Sequence, residues 1–161
     1  MRFGKDERIY VTEAYITRTA VALPNQPVDN DRIEAILGMV GGKLSRIKRV
    51  VLKQNGIRQR YYVLDPVTRE PRYSNAQLTA MAVRKLWADH PDFGGVGCLA
   101  CGTTMPDQLA PNHAAMVHGE LKNPPCEIIA TAGICMSGMT ALKYAWMSIR
   151  CGEHRKPRGV R

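Results

Sequence analysis

The sequence has few aromatic residues, 6% of 161, and it lacks any apolar run long enough to cross a membrane. The shortage of aromatics argues against a surface of interleaved aromatic and basic side chains, on which single-stranded nucleic acids stack. The first residues, MRFGKDERIYVTE, are of mixed charge and lack the apolar segment of a secretory signal. We therefore expect a cytoplasmic protein with no membrane span and no nucleic-acid partner.

A second pair of closely spaced cysteines is also missing. The five cysteines are an odd number and nothing marks the chain for secretion, so we expect reduced thiols. Cys98 and Cys101 have the spacing of a metal or redox pair, but they lie in an apolar run that predicts a strand. Residues three apart in a strand point to opposite faces. The pattern favours core packing for this pair, and we expect neither a metal nor a bound cofactor.

Positive charge is abundant, with a formal net charge of +9. Such a balance fits an acidic protein partner, nucleic acid or anionic lipid, and it equally fits a solvated surface without a partner. One basic segment is the tail, residues 155–161. The other lies between 43 and 60 and contains Lys43, Arg46, Lys48, Arg49, Lys53, Arg58 and Arg60.

Helical and strand patterns alternate along the chain. Apolar residues at helical spacing predict helices, and short apolar or β-branched runs predict strands. The alternation indicates an α/β fold with a mainly parallel sheet. The helices are predicted over residues 30–40, 74–90, 111–121 and 136–150, and the strands over 15–23, 61–63, 96–100 and 128–130.

Three residues with reactive or polar side chains follow directly on predicted strands. Thr103 and Thr104 follow one strand, and Cys135 follows the next, at the start of a helix. Ligands of open α/β sheets bind at the carboxyl ends of strands. A helix start also leaves N–H groups unpaired and carries partial positive charge, and both favour a thiolate. Cys135 is therefore a candidate nucleophile.

Gly133 and Gly138 flank this cysteine. Without a Cβ, they allow a tight turn and the close approach of a substrate. The alternative is that Cys135 is a buried residue, because free cysteine is among the most buried residue types. On this stretch alone both interpretations stay open.

Four elements of the sequence occur in the same order as in one enzyme family. They are the strand ITRTAVALP, the element GIRQR at 56–60, the loop GTTMPDQLAPN at 102–112 and the turn ATAGICMSG at 130–138. Together they resemble the 3-oxoacyl-(acyl-carrier-protein) synthase III family of the thiolase superfamily. The resemblance covers residues 16–152, the amino-terminal half of the family's fold. It leaves a polar leader at 1–15 and a basic tail at 153–161 outside.

The resemblance implies a layered thiolase-like fold, of which this chain forms one half of an αβαβα architecture. It implies that Cys135 accepts an acyl group for a decarboxylative Claisen condensation in fatty acid, lipid or polyketide synthesis. The Cys135 N–H would help to bind the oxyanion in the turn of Gly133 and Gly138, and Thr103 and Thr104 would lie by the substrate channel. Acyl thioesters of coenzyme A, or of the phosphopantetheine of an acyl carrier protein, would be substrates. The basic segment 43–60 would dock the acidic carrier.

One departure from the family concerns the starter thioester. Family members that use coenzyme A primers carry a tryptophan and an arginine just before the GIR element. Val50 and Gln54 stand in those places here. This favours an acyl-carrier-protein donor over acetyl coenzyme A.

A second departure is that the family's catalytic histidine and asparagine belong to the other half of the fold. None of this chain's histidines (His90, His113, His118 and His154) matches the family's histidine motif. We therefore expect a homodimer or a complementing second half, and an isolated chain that is a poor enzyme. The tail EHRKPRGVR is unlike the family, which we interpret as a truncated or frame-shifted reading frame. The alternative is an inert pseudo-synthase that acts at most through dimerisation.

Overall fold

Two parallel strands with helices on both faces form the centre of the fold in the computed structural model, which describes residues 13–89 and 95–154. Strand β3 is Cys98–Gly102 and strand β4 is Glu127–Thr131. Helix α3 is Asn75–Leu86, α4 is His113–Leu121 and α5 is Ser137–Cys151. The chain between β3 and β4 contains α4, which is the crossover that parallel strands need. The predicted α/β layering is thus confirmed.

The two faces of the sheet contact different helices. Cys101 of β3 is buried in a core with Ala76 and Ala80 of α3 and with Ala114, Val117 and Leu121 of α4. Helix α5 packs against β3 and β4 on the opposite face. At that contact a Cβ on Gly102 would lie only 2.7 Å from the backbone nitrogen of Gly138. The sheet and α5 therefore approach closely because residue 102 has no side chain.

Local capping signals fix where α3 and α4 begin. The Ser74 side chain accepts a hydrogen bond from the Gln77 N–H, and the Gln77 side chain accepts one from the Ser74 N–H, which completes the predicted capping box. The Asn112 side chain accepts from the Ala115 N–H at the start of α4. These two helix starts are confirmed.

The amino-terminal region differs from its prediction. The strand predicted over 15–23 is wrong, because these residues are irregular and exposed, and a strand needs a neighbour to pair with. The helix predicted over 30–40 is only α1, Ile33–Leu37, because Gly38 adopts a left-handed φ of 84°. A short antiparallel pair, β1 (Val28–Asp29) with β2 (Gln59–Arg60), replaces the strand predicted over 61–63.

The basic segment contains an unpredicted helix, α2, Lys48–Asn55. It ends at Gly56, which adopts the left-handed conformation typical of a helix C-terminus. Residues 1–12 of the predicted leader, 155–161 of the predicted tail, and His90 lie outside the described residues. No helix of the described part is long and apolar enough to span a membrane.

Candidate functional site

Cys135 lies in a short turn that joins β4 to α5. Strand β4 ends at Thr131, residues Ile134–Met136 form one turn of 3₁₀-helix, and α5 begins at Ser137. The Cys135 side chain is exposed, whereas Cys101 is buried in the core. The alternative that Cys135 is a buried core residue is therefore wrong for the described chain, and its thiol is accessible to a reactant.

The backbone of this turn is strained at the residue before the cysteine. Ile134 has a φ of 48°, in the left-handed region that β-branched residues avoid. Such conformations cost roughly 1–3 kcal/mol and cluster at functional sites. The Ile134 side chain is also 71% exposed, so packing against the described residues does not explain why an isoleucine stands here. The turn therefore combines strain with an exposed thiol.

Hydroxyl groups hold the turn in place. The Ile134 carbonyl accepts hydrogen bonds from Ser137 Oγ at 2.9 Å and from Thr104 Oγ1 at 3.0 Å. Thr131 Oγ1 donates to the Ser137 carbonyl at 2.8 Å. The strained peptide is thus fixed by contacts from β4, from α5 and from the loop that follows β3.

The loop after β3 is itself tied to the start of α3. Asn75 Nδ2 donates to Thr103 Oγ1 at 2.7 Å. The Asp107 carboxylate accepts from the N–H groups of Asn75, at 2.7 Å, and Ala76, at 2.9 Å. Thr104, Thr103, Asn75 and Asp107 therefore form a continuous set of contacts from the Cys135 turn to α3.

The two predicted turn glycines have open space around them. Gly133 is extended, with φ of 171°, and a Cβ there would meet nothing closer than 3.8 Å. A Cβ on Gly138 would meet nothing within 4 Å. The glycine that the turn requires within this chain is Gly102, which sequence reasoning placed in a loop without a role. The space at Gly133 and Gly138 is available to a group outside the described residues.

Comparison with known proteins gives curated relatives that share one name. No family model matches the chain. A curated relative, the beta-ketoacyl-(acyl-carrier-protein) synthase III of Xanthomonas axonopodis pv. citri (strain 306), is 27% identical over 147 residues, which are 91% of this chain and 41% of that enzyme. The chain is a homologue of the synthases III. This confirms the resemblance carried by the four sequence elements, and the chain spans about two fifths of the length of the curated relatives it matches.

Solved structures agree on the fold. The tetronic acid condensing enzyme AbyA1 aligns with a TM-score of 0.64 and 27% identity, covering 83% of this chain and 40% of that one. MvaS in complex with 3-hydroxy-3-methylglutaryl coenzyme A aligns with a TM-score of 0.61 and 25% identity, covering 84% of this chain and 30% of that one. The synthase III homologue thus has the fold of part of a thiolase-like condensing enzyme.

The described histidines of this synthase III homologue contact groups away from Cys135. His113 Nε2 lies 3.2 Å from Thr79 Oγ1, His118 Nε2 lies 3.3 Å from the Pro124 carbonyl, and His154 Nε2 lies 2.6 Å from the Glu127 carboxylate. None of these three contacts joins a histidine to Cys135, so none of them provides Cys135 with a general base. The interpretation that none of them is the family's catalytic histidine stays a prediction.

The predicted docking residues divide into two groups. Lys48 forms an ion pair of 2.6 Å with Glu34, and Arg60 donates to Asn30 Oδ1 at 2.9 Å, so both stabilise the fold around α1 and β2. The same contact from Lys48, followed by the Ser45 N–H, lowers the pKa of the Glu34 carboxyl. The remaining residues, Lys43, Arg46, Arg49, Lys53 and Arg58, have exposed side chains.

Proposed function

We propose that this chain is the nucleophile-bearing half of a condensing acyltransferase, with Cys135 as the acyl acceptor. The observation that carries the proposal is the exposed Cys135 thiol on a strained turn between a parallel strand and a helix. The relatives named beta-ketoacyl-(acyl-carrier-protein) synthase III support it, as does the structure of the tetronic acid condensing enzyme AbyA1.

The proposed reaction has two steps. The Cys135 thiolate attacks the carbonyl carbon of an acyl thioester, a new carbon–sulfur bond forms, and the donor leaves as a thiolate that takes up a proton. A carbanion, formed as a malonyl thioester loses carbon dioxide, then takes the acyl group and frees the Cys135 thiolate. Covalent catalysis of this kind divides one difficult transfer into two easier ones. Backbone N–H groups at the start of α5 would stabilise the oxyanion.

We propose an acyl carrier protein as the donor, because five exposed cations lie within residues 43–58, in α2 and in the segments that flank it. A row of exposed Lys and Arg side chains steers the encounter with an acidic partner and fixes its orientation. Arg49, Lys53 and Arg58 line one cleft with Asn30 and Asp31. The coenzyme A thioester named with MvaS keeps coenzyme A as the second donor to be tested.

The test is intact mass spectrometry of the chain after exposure to acyl-carrier and acyl-coenzyme A thioesters. Cys151 provides a matched control, since it is also exposed and is the last residue of α5, the helix that follows the Cys135 turn. We expect one acyl adduct in the wild type and in Cys151→Ala, and none in Cys135→Ala. Equal labelling of the two cysteines, or an adduct that survives Cys135→Ala, would contradict an activated Cys135.

A second candidate function rests on the exposed apolar face of α5. Met139, Leu142 and Trp146 are 56%, 45% and 47% exposed. Tyr15 and Ile16 line the same groove. Contiguous exposed apolar surface marks an interaction site. We propose that a complementing half covers this face, and that an inert chain could still act by such pairing.

Sedimentation velocity, combined with assays of condensation and of cysteine acylation, distinguishes the two functions. An acylated chain that gains condensation activity only with a second half supports the enzyme. A well-behaved dimer whose Cys135 reacts no faster than Cys151 supports pairing alone. The expected cytoplasmic location stays a prediction.

A further inference from the structure

Three side chains with metal-binding chemistry converge at the end of the sheet opposite to Cys135. Cys98 and Glu127 are the first residues of β3 and β4 and are direct partners in the parallel register. Partners in a parallel pair project to the same face. His154 follows α5 and lies against them, with Nε2 2.6 Å from Glu127 Oε2. These three residues are far apart in sequence and are united only by the fold.

The position of His154 is fixed by the end of α5. Gly152 adopts the left-handed conformation, and the Glu153 N–H donates to the Ser148 carbonyl at 3.1 Å, which turns the chain back towards the sheet. The imidazole then packs on Gly97, where a Cβ would lie 2.9 Å from His154 Nδ1. Gly97 therefore leaves the space that the ring occupies. The Gly97 carbonyl also accepts a hydrogen bond from the Glu127 N–H at 2.9 Å, which fixes Glu127 relative to the start of β3.

From this arrangement we infer that Cys98, Glu127 and His154 bind one zinc ion. Their ligand atoms, Sγ, a carboxylate oxygen and a ring nitrogen, all lie within 4.8 Å of one another, and the three residues are half-buried. Zinc bonds of about 2.0–2.3 Å in a tetrahedron place ligand atoms roughly 3.3–3.6 Å apart. Small side-chain rotations reach that spacing. Water would take the fourth position.

The surroundings support a metal ligand set. The Tyr144 hydroxyl of α5 donates to Glu127 Oε1, so one carboxylate oxygen is held from outside while the other faces His154. Hydrogen bonds of this kind orient metal-ligating carboxylates. Without metal, burial and then the Glu127 charge raise the pKa of the Cys98 thiol to about 11. Zinc binds the thiolate, so the thiol proton leaves as the Zn–S bond forms.

The sequence offers no motif for this site. The expectation that Cys98 and Cys101 point to opposite faces agrees with the structure, in which Cys101 lies in the α3–α4 core and Cys98 beside Glu127 and His154. Because their side chains lie on opposite faces of the sheet, Cys98 and Cys101 do not bind one metal ion together. Cys98 instead lies beside two ligands from later segments, Glu127 of β4 and His154 after α5.

Cobalt absorption tests the site in the full chain. The chain is stripped with a chelator, kept reduced with a phosphine, and titrated with Co²⁺, which gives a thiolate-to-metal charge-transfer band when a cysteine binds it. We expect one Co²⁺ per chain, displaced by Zn²⁺. Cys98→Ser should abolish the band and Cys135→Ser should keep it. His154→Gln and Glu127→Gln should each weaken binding more than Tyr144→Phe, for which we expect a loss of about 10- to 100-fold.

Gly97→Ala gives an independent variant that retains every ligand. Its Cβ would displace the His154 ring, so we expect weaker binding with the charge-transfer band still present at high Co²⁺. Circular dichroism melting with and without Zn²⁺ accompanies each variant, and zinc should raise Tm in the wild type but not in Cys98→Ser. Absence of stoichiometric metal from the wild-type chain overturns the site. A band that persists unchanged in Cys98→Ser or in His154→Gln also overturns it.

Discussion

Gly102 and Gly138 face each other at the contact between β3 and α5, and the two glycines differ in the space around them. A Cβ at 102 would collide with the backbone at Ser137 and Gly138, whereas one at 138 would meet nothing within 4 Å. We expect Gly102→Ala to lower the free energy of unfolding by about 1–3 kcal/mol through overpacking. Gly138→Ala should raise it by up to about 1 kcal/mol through helix propensity. Urea unfolding of the two variants gives the comparison, and equal effects would contradict the close approach at Gly102.

His113 makes the stability of the core depend on pH. It is 3% exposed, its Nε2 contacts Thr79, and its Nδ1 has no hydrogen-bond partner among the described residues. Burial lowers the pKa of His113 from 6.5, opposed by the weaker attraction of Asp107. Below about pH 6.5 the unfolded chain therefore binds a proton that the folded chain excludes.

We expect the free energy of unfolding to fall as the pH drops below about 6.5, by up to about 1.4 kcal/mol per pH unit for this one group. The loss stops once the pH passes below the lowered pKa of the folded state. Urea unfolding between about pH 7.5 and about pH 5.5 measures it. His113→Gln should remove this part of the slope and His118→Gln should keep it. An unchanged slope in His113→Gln would show that other groups carry the effect.

Sequence reasoning at this scale located Cys135 on its strand-to-helix turn, because the pattern of an apolar run followed by helical spacing is local. It missed Gly102, Asn75 and Asp107. Their roles depend on which loop contacts which helix start, and such contacts join segments about 30 residues apart. An aspartate a few residues after a strand is the only local signal that could have indicated Asp107.

At the scale of elements, the loop after β3 is the part through which α3 supports the Cys135 turn. Asp107→Ala removes two hydrogen bonds to the first N–H groups of α3 and a favourable charge at the helix start. We expect a loss of about 1–2 kcal/mol in unfolding free energy. We also expect slower acylation of Cys135, because the loop would hold Thr104 less firmly against Ile134.

The measurement combines urea unfolding with the rate at which the acyl adduct forms. Asp89→Ala is the control, since it removes an equal charge from an exposed residue that follows α3. Destabilisation without any change in the rate at Cys135 would show that the loop caps α3 only.

The helices α3, α4 and α5 were predictable because capping residues and apolar spacing lie within each helix. The amino-terminal strands were not, since a strand exists only through its partner. Residues 15–23 include β-branched side chains but are irregular in the described chain. Strand β2 pairs instead with the two-residue segment Val28–Asp29. Helix α2 was missed because its many cations made the segment look like a solvated surface.

At the scale of the whole molecule, α5 presents apolar side chains that the described chain leaves uncovered. A charge placed among them should reduce self-association without affecting the core, because Leu142 is 45% exposed. We therefore expect the wild-type chain to associate at micromolar concentration and Leu142→Glu to shift towards monomer, with Tm unchanged within a few degrees.

Sedimentation velocity over a concentration series measures this shift. Val67→Glu is the matched control, since Val67 is 87% exposed and lies in the loop between β2 and α3. A wild-type chain that stays monomeric throughout, or a Val67→Glu chain that dissociates equally, would contradict α5 as the contact. The layered fold class could be predicted from the order of elements, and the expected second half or homodimer implies an uncovered apolar face. Which side chains lie on that face depends on what packs on the helix.

The left-handed Ile134 sets stability and reactivity against each other. An isoleucine in this conformation costs roughly 1–2 kcal/mol, which glycine would avoid, although glycine loses about 0.5–1 kcal/mol through its greater freedom when unfolded. Selection for thermal tolerance alone would therefore accept Ile134→Gly readily. A screen for acyl transfer should reject the same substitution, because a relaxed turn holds the thiol less firmly. The residue that natural variants carry at position 134 would then indicate whether thermal stability or acyl transfer has been selected.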